Sequence, residues 1–536
     1  MAEKRLQDLP VNLQDFETLR RGNYLYVDKT KGVYELARPA NPAYFLSRPR
    51  RFGKSMICST FKALFEGKKE LFEGTWIASS DWQWQAHPVI HLDLSKMTYE
   101  SPTELKRLLI KTLTDIAVSH DLTIAIDEQP GNMLSDIIEQ LAANGPLPVC
   151  LIDEYDYPII TSLENPKLLE TYREVMQNFY KPLKPCGKSL RFLFITGVSQ
   201  FAKMSIFSAL NHLEILSSSP SVATICGYTQ AELEQSFAPY IAELMEKSKS
   251  TKQEMLALIK KWYNGYCFTF PEDAPERVYN PFSIVNFFKA KQFKDYWFAS
   301  GTPTFVMQYF KRHTFKVADF ENIKADFSSL GSLQPDKIKL PTLLYQAGYM
   351  TIQSYNTNSG TCILQFPNHE IAMACAKQLI AYATKEDNTE LSDLAIELKD
   401  LFVNNTISDK TLSVVLKNIC AQIPSPVAPK VEKGYQLLFW AVVRISGLNA
   451  VVEDPSAVGR MDISITRDDE VFIIELKIRG SAKQALQQIK DRRYAEKYEA
   501  MGKKVTKIGV VFDIKKRTIT SCKTIKPRAT KESIVK

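Results

Sequence analysis

At 536 residues, with 45% hydrophobic, 11% aromatic and 24% charged residues and 21 Gly with 27 Pro, the composition is ordinary for a globular protein. It excludes long disorder and collagen-like structure, and the length points to about three or four domains rather than one core. The net charge of +8 is confined to one end: from Met501 to Lys536 there are 11 Lys/Arg against 2 Asp/Glu, which leaves −1 over the other 500 residues.

The start, Met1 to Phe16, carries no signal-peptide core and no apolar run of membrane length follows, so neither export nor a membrane anchor is expected. Nine cysteines, odd in number and without a C-x-x-C pair, fit a reduced, cytoplasmic setting better than disulfides, zinc or redox motifs. The six His lack H-E-x-x-H spacing, which excludes a zinc protease of that type.

In chain order, the first chemistry-bearing segment is the apolar Ala43-Tyr44-Phe45-Leu46, then Ser47-Arg48-Pro49-Arg50-Arg51-Phe52-Gly53-Lys54-Ser55, then a helix-period stretch from Met56 to Phe65. Further strand-like runs are Val89 to Leu94, Val149 to Asp153 and Arg191 to Gly197, separated by helical patterns such as Thr103 to Ala117 and Lys167 to Tyr180. This alternation predicts an α/β domain with a parallel sheet covered on both faces, over residues 1–227. Residues 228–422 read as mostly helical, with a β-hairpin at Tyr349 to Tyr355 and Thr361 to Phe366, either a winged-helix-like region or a helical lid with one hairpin. The Pro-rich Ile423 to Pro429 marks a boundary. Residues 423–536 then read as an αββαβ unit: helix Val431 to Arg444, strands Met461 to Thr466 and Val471 to Lys477, helix Ala482 to Tyr498 and strand Val505 to Phe512, with a further strand near Leu448 to Val452.

A loop between a buried strand and a helix points backbone N–H groups at one spot, where the helix dipole favours an anion. In such a loop Gly53 permits close backbone approach, the Lys54 ammonium reaches the β and γ phosphates, and the Ser55 hydroxyl serves Mg²⁺. The first Gly of the usual G-x-x-x-x-G-K-[ST] loop is replaced by Arg48. About 100 residues on, the apolar Val149-Cys150-Leu151-Ile152 ends in Asp153, a hard oxygen ligand for Mg²⁺, and Glu154, which can polarise the attacking water. A third strand ends at Thr196-Gly197-Val198-Ser199, where a polar side chain can sense the γ-phosphate. Arg48, Arg50 and Arg51 either neutralise phosphate charge or pair with nearby acids. No arginine finger can be chosen; Arg173 reads best as an exposed helical residue.

With these segments in place the sequence resembles the AAA-ATPase-like proteins joined to a C-terminal PD-(D/E)XK nuclease-like domain. The resemblance rests on Tyr26-Val27-Asp28-Lys29-Thr30, Arg48 to Ser55, Leu151-Ile152-Asp153-Glu154-Tyr155-Asp156, Ile195 to Ser199, Ile206 to Asn211, Trp262-Tyr263-Asn264-Gly265-Tyr266 and Tyr279-Asn280-Pro281-Phe282-Ser283. It implies a variant P-loop NTPase fold in which the Arg-for-Gly exchange is part of the pattern. It also implies ATP and Mg²⁺ binding at Lys54, Ser55 and Asp153, beside which Arg48, Arg51, Phe52 and Gly53 of the loop are candidate cofactor-binding residues. Assembly into a homo-oligomer is an analogy with AAA-type rings.

The last block holds a second constellation. Glu475 and Lys477 lie two apart on a strand and project together, and Asp462 on the paired strand brings a second carboxylate to the same spot. The two acids and the Leu476 carbonyl suit Mg²⁺, with Lys477 orienting water or neutralising phosphate, and Glu432 is a further acid. The apolar Phe472-Ile473-Ile474 argues that this strand is buried, so its terminal acid needs a reason. In the resemblance, Ala485, Gln488 and Tyr494 belong to the nuclease pattern. The basic end then has a neighbour that can use it against DNA, although a solvated basic tail gives the same letters. The expected function is an ATPase controlling a metal-dependent nucleic-acid phosphodiesterase; the alternative is a nucleotide switch whose nuclease-like domain binds without cutting.

Overall fold

The computed structural model describes residues 6–163, 165–201, 213–270, 272, 276–298, 306, 309, 319–331, 333, 338–384, 389–422, 432–456, 459–467, 469–513 and 515–527. Five short segments form a wholly parallel sheet: β1 (Ala43–Ser47), β2 (Val89–Asp93), β3 (Val149–Asp153), β4 (Phe192–Gly197) and β5 (Glu214–Ile215), in the order β2-β3-β4-β1-β5. β3 and β4 are buried at every residue, as strands covered on both faces must be. The sequence predicts four of these strands. β5, two residues long, has no periodicity to read.

The chain divides into two compact units, residues 1–306 with 324–368 and residues 307–323 with 369–536. In the first unit, β1 runs through a loop into helix α1 (Lys54–Phe65), which packs its buried Ile57, Phe61 and Leu64 toward the sheet. Beyond the sheet, helices from Gln230 to Ala290 build a second core in which Phe237, Ile259, Tyr263 and Phe287 enclose Leu25 and Val27 of the N-terminal segment. Asp28 fastens that segment by accepting the N–H groups of Thr30 at 2.8 Å and Trp76 at 2.7 Å. Lys29 completes the fastening through Glu232 at 2.6 Å and the Thr224 carbonyl at 2.8 Å. The expected hairpin is present as β7 (Thr351–Asn356) and β8 (Thr361–Gln365), and β6 (Ile323–Asp326) adds a third strand in the order β6-β8-β7. The stretch 202–212, which includes Ile206 to Asn211, and the proline-rich 423–430 lie outside the described residues.

The second unit carries a mixed five-stranded sheet, β13-β12-β11-β10-β9, made of β9 (Ala450–Ser456), β10 (Gly459–Arg467), β11 (Glu470–Lys477), β12 (Lys504–Asp513) and β13 (Thr518–Ile525). Only the β11–β12 pairing is parallel, and helix α2 (Ala482–Asp491) makes that crossover. Three helices that the sequence grouped with the middle region, His369–Thr384, Thr389–Val403 and Asp409–Ala421, pack within this unit, the first two against Glu432–Ser446 and the last against β13. No helix of the described residues is long and apolar enough to cross a membrane. All nine cysteines are free, and eight are buried.

Candidate functional site

The loop after β1 is shaped by two left-handed residues, Arg51 at φ 68° and Gly53 at φ 91°. Gly53 caps α1, and a Cβ added there would meet nothing within 4 Å, so the glycine is required by its φ and leaves open space above the helix start. The buried Lys54 points back along the loop, its Nζ 3.4 Å from the Pro49 carbonyl and 3.2 Å from Glu154 Oε1. Glu154 follows β3 with φ 52°, strained for a residue with a side chain. It is held so because its own N–H donates to Asp153 Oδ1 at 3.1 Å and the next N–H, of Tyr155, donates to the Thr196 carbonyl at 2.9 Å. Asp153, 2% exposed, also accepts the Thr196 hydroxyl. The loop after β1 and the end of β3 thus meet, with Lys54 and Glu154 in contact.

Lys54, Ser55, Arg50, Arg51 and Glu154 line a cavity of about 360 Å³. Its remaining wall is largely apolar, with Leu25, Val27, Ile225, Tyr228, Phe282 and Val285. A wall that mixes charged groups with a larger apolar surface suits a molecule that carries both charge and a flat apolar part. The Arg51 guanidinium lies 4.9 Å over the Phe282 ring, and the buried Phe52 ring sits edge-on to Tyr266 and Phe268, anchoring the loop. Arg48 is brought elsewhere: it is 2% exposed and absent from this cavity wall, its Nη1 donating to the Ser47 and Ser217 carbonyls at 2.9 and 2.7 Å. Arg173, expected as an exposed helical residue, is instead largely covered, its side chain 11% exposed and paired with Glu170 at 2.8 Å.

Asp156 is a participant to which the sequence assigns no role. Fully buried, it accepts the N–H groups of Val198 at 3.2 Å and Ser199 at 2.7 Å and so ties the end of β3 to the end of β4. Burial, then the neighbouring Glu154 charge, pushes its carboxyl up to about 7.

In the second unit the antiparallel ladder of β10 and β11 stops at Ile463 and Ile474. One step further Asp462 and Glu475 would face each other, but the backbone pairing is replaced by a side chain, with Leu476 N–H donating to Asp462 Oδ2 at 2.7 Å. Gln436 Nε2 holds the other Asp462 oxygen at 2.9 Å. Lys477 Nζ lies 3.4 Å from Glu475 Oε1, which also accepts from Gln488 Nε2 on α2. Glu475 is 2% exposed, and burial, then the Asp462 charge, lifts its carboxyl to about 8. Its Oε2 is buried with no hydrogen-bond partner. An orphaned carboxylate oxygen beside a second carboxylate is a donor set that fits a hard divalent cation. Among the described residues no three His, Cys, Asp or Glu side chains gather, and the Glu432 side chain lies outside them. Gln436 left no readable signal in the sequence.

The parallel sheet with its loop and acidic strand, and the opened hairpin with two acids and a lysine, define an ATPase-like unit and a nuclease-like unit in one chain. Family models agree: residues 10–207 match a predicted AAA-ATPase family and residues 430–522 match the PD-(D/E)XK nuclease superfamily. The chain is also 31% identical over 533 residues to a protein described as an uncharacterized protein in the vnfD 5' region of Azotobacter chroococcum mcd 1, covering 97% of this chain and 98% of that relative. The chain belongs to the AAA-ATPase-like family that carries a C-terminal PD-(D/E)XK nuclease-superfamily domain.

Proposed function

We propose that the protein binds and hydrolyses ATP in the cavity around Lys54 and that this site controls metal-dependent cleavage of nucleic acid, DNA in the first instance, at Asp462, Glu475 and Lys477. The observation that carries the reading is the buried Lys54–Glu154 contact at 3.2 Å in the wall of a cavity lined by both charged and apolar side chains. A buried ammonium in contact with one carboxylate among the described residues is poised to exchange that contact for phosphate oxygens, which frees Glu154 to accept a proton from water. Gly53 and the start of α1 offer N–H groups to the same oxygens. Ser55 and Asp153 are the residues that would hold Mg²⁺ here, and Asp462 and Glu475 those that would hold it in the second unit. When bound, the cation supplies positive charge to phosphate oxygens and lowers the pKa of bound water. Lys477 then adds a charge to the scissile phosphate, and Gln488 and Gln436 fix the two carboxylates.

The test is direct. Lys54→Ala should abolish nucleotide binding, whereas Glu154→Gln should keep binding and slow turnover by roughly 10²-fold or more, the scale of a lost catalytic base. Plasmid incubated with Mg²⁺ or Mn²⁺ should be nicked by the wild type and left intact by Lys477→Ala. Unchanged turnover in Glu154→Gln, or absence of cleavage under every metal and nucleotide condition, would remove the corresponding half of the reading.

A further inference from the structure

Arg48 stands in the phosphate loop yet turns its charge away from the nucleotide cavity. It lines a second cavity of about 340 Å³, whose wall includes Ser217, Gln200, Phe268, Gly331 and Tyr345. The guanidinium lies 4.3 Å over the Phe268 ring. Its Nη1 is satisfied by two carbonyls, but Nε and Nη2 are both buried and have no hydrogen-bond partner among the described residues. Those two atoms share one edge of the planar group. That edge is the fork that grips two oxygens of a carboxylate or phosphate at once.

A buried cation normally has an acid beside it, because removing an ion from water costs several kcal/mol even after relaxation. Here burial pulls the guanidinium's pKa down, and among the described residues no carboxylate is among the groups acting on it. The ring face and two carbonyls compensate in part, and the fork edge remains unpaired. Ser217 and Gln200 add polar groups to the same wall.

We infer that this second cavity is a binding site for a small oxyanion, a carboxylate- or phosphate-bearing molecule, with the Nε and Nη2 edge of Arg48 as its anchor. The site is distinct from the nucleotide cavity and does not depend on ATP being the occupant there. The two cavities share the loop but no wall residue: Pro49 lines the second cavity, and its carbonyl lies 3.4 Å from Lys54 Nζ in the wall of the first.

The experiment uses the full-length Lys54→Ala protein, so that phosphate binding at the nucleotide loop is weakened at the start. Inorganic phosphate and succinate are titrated separately and the thermal unfolding midpoint is followed. A saturable rise is expected with one of the two, which also identifies the oxyanion, and adding Arg48→Gln should abolish it. Gly331→Leu provides a control that keeps Arg48: the glycine has φ −77°, which other residues adopt, and an added Cβ would meet only Gln200 Oε1 at 3.7 Å, so leucine enters the cavity space. It too should abolish the rise, and it decides the question alone if Arg48→Gln does not fold. The inference is overturned if neither anion gives a saturable rise, or if the rise survives in a folded variant of either kind.

Discussion

Asp156 shows how one buried side chain sets the geometry that catalysis would need. Its two oxygens each take one N–H of the segment after β4, and Gly197 makes room for it, since a Cβ there would stand 2.6 Å from Asp156 Oδ1 and 2.5 Å from the Tyr155 ring. Asp156→Asn presents one oxygen in place of two and turns an NH₂ group toward a backbone donor. It should therefore cost about 1–3 kcal/mol, the penalty for a buried donor left unpaired, read as a lower urea midpoint at pH ~5, below the range in which the raised carboxyl ionises. The pH dependence has a fixed sign. The folded carboxyl, raised to about 7, holds its proton more tightly than the unfolded one, so its contribution to stability is full below pH ~4 and falls as the pH rises through 7. The wild-type midpoint should drop over that window more steeply than that of Asp156→Asn. Parallel curves for the two proteins would mean that Asp156 does not titrate there.

At the scale of elements, the opened end of the β10–β11 hairpin makes the next prediction. Glu475 is raised to about 8 by burial and by Asp462, so near pH 7 it holds a proton that a bound cation must displace. Mn²⁺ binding at pH 7 should release close to one proton, measured by calorimetry in two buffers of different ionisation enthalpy, and cleavage should rise with pH toward 8. In Glu475→Gln both the release and the cleavage should be lost; proton release that persists in that variant would assign it to another group. Much of this site was readable beforehand. Two residues of separation on a strand put Glu475 and Lys477 on one face, and the apolar Phe472-Ile473-Ile474 marked the strand as buried. β13 was missed because its Lys523 and neighbouring Lys515, Lys516 and Arg517 read as a charged tail. In the structure Lys523 lies on an edge strand, where lysine also guards against unwanted pairing. Arg48 was misplaced for a different reason. Sequence spacing put it in the loop, but side-chain direction in a loop depends on which neighbours, here Ser217 and Phe268, come from far along the chain. The three helices between His369 and Ala421 read as helical in the sequence, but nothing there names the helix and the strand they pack on.

At the scale of the molecule, each compact unit contains its own core and one of the two sites. The basic excess lies in the second unit, within β12, β13 and the turn between them and in residues beyond 527 outside the described set. If about five of these charges met DNA phosphates, log affinity should fall with log salt at a slope near ~−4.5. A slope near zero would leave the charge a solubility feature. If the proposed ATPase controls the proposed nuclease, the nucleotide state must change the cleavage rate. A coupling free energy of ordinary size predicts about a 5- to 150-fold difference in nicking with and without ATP. Two variants separate coupling from chemistry. Lys477→Ala should stop nicking while ATP turnover stays near wild type, because its ammonium serves only the second site. Lys54→Ala should retain metal-dependent nicking at a rate indifferent to ATP, since the Asp462, Glu475 and Lys477 cluster shares no residue with the nucleotide cavity. Nicking by Lys54→Ala that still responds to ATP would show that the control enters somewhere other than the phosphate loop. Wild-type nicking that ignores ATP altogether would leave two independent activities on one chain.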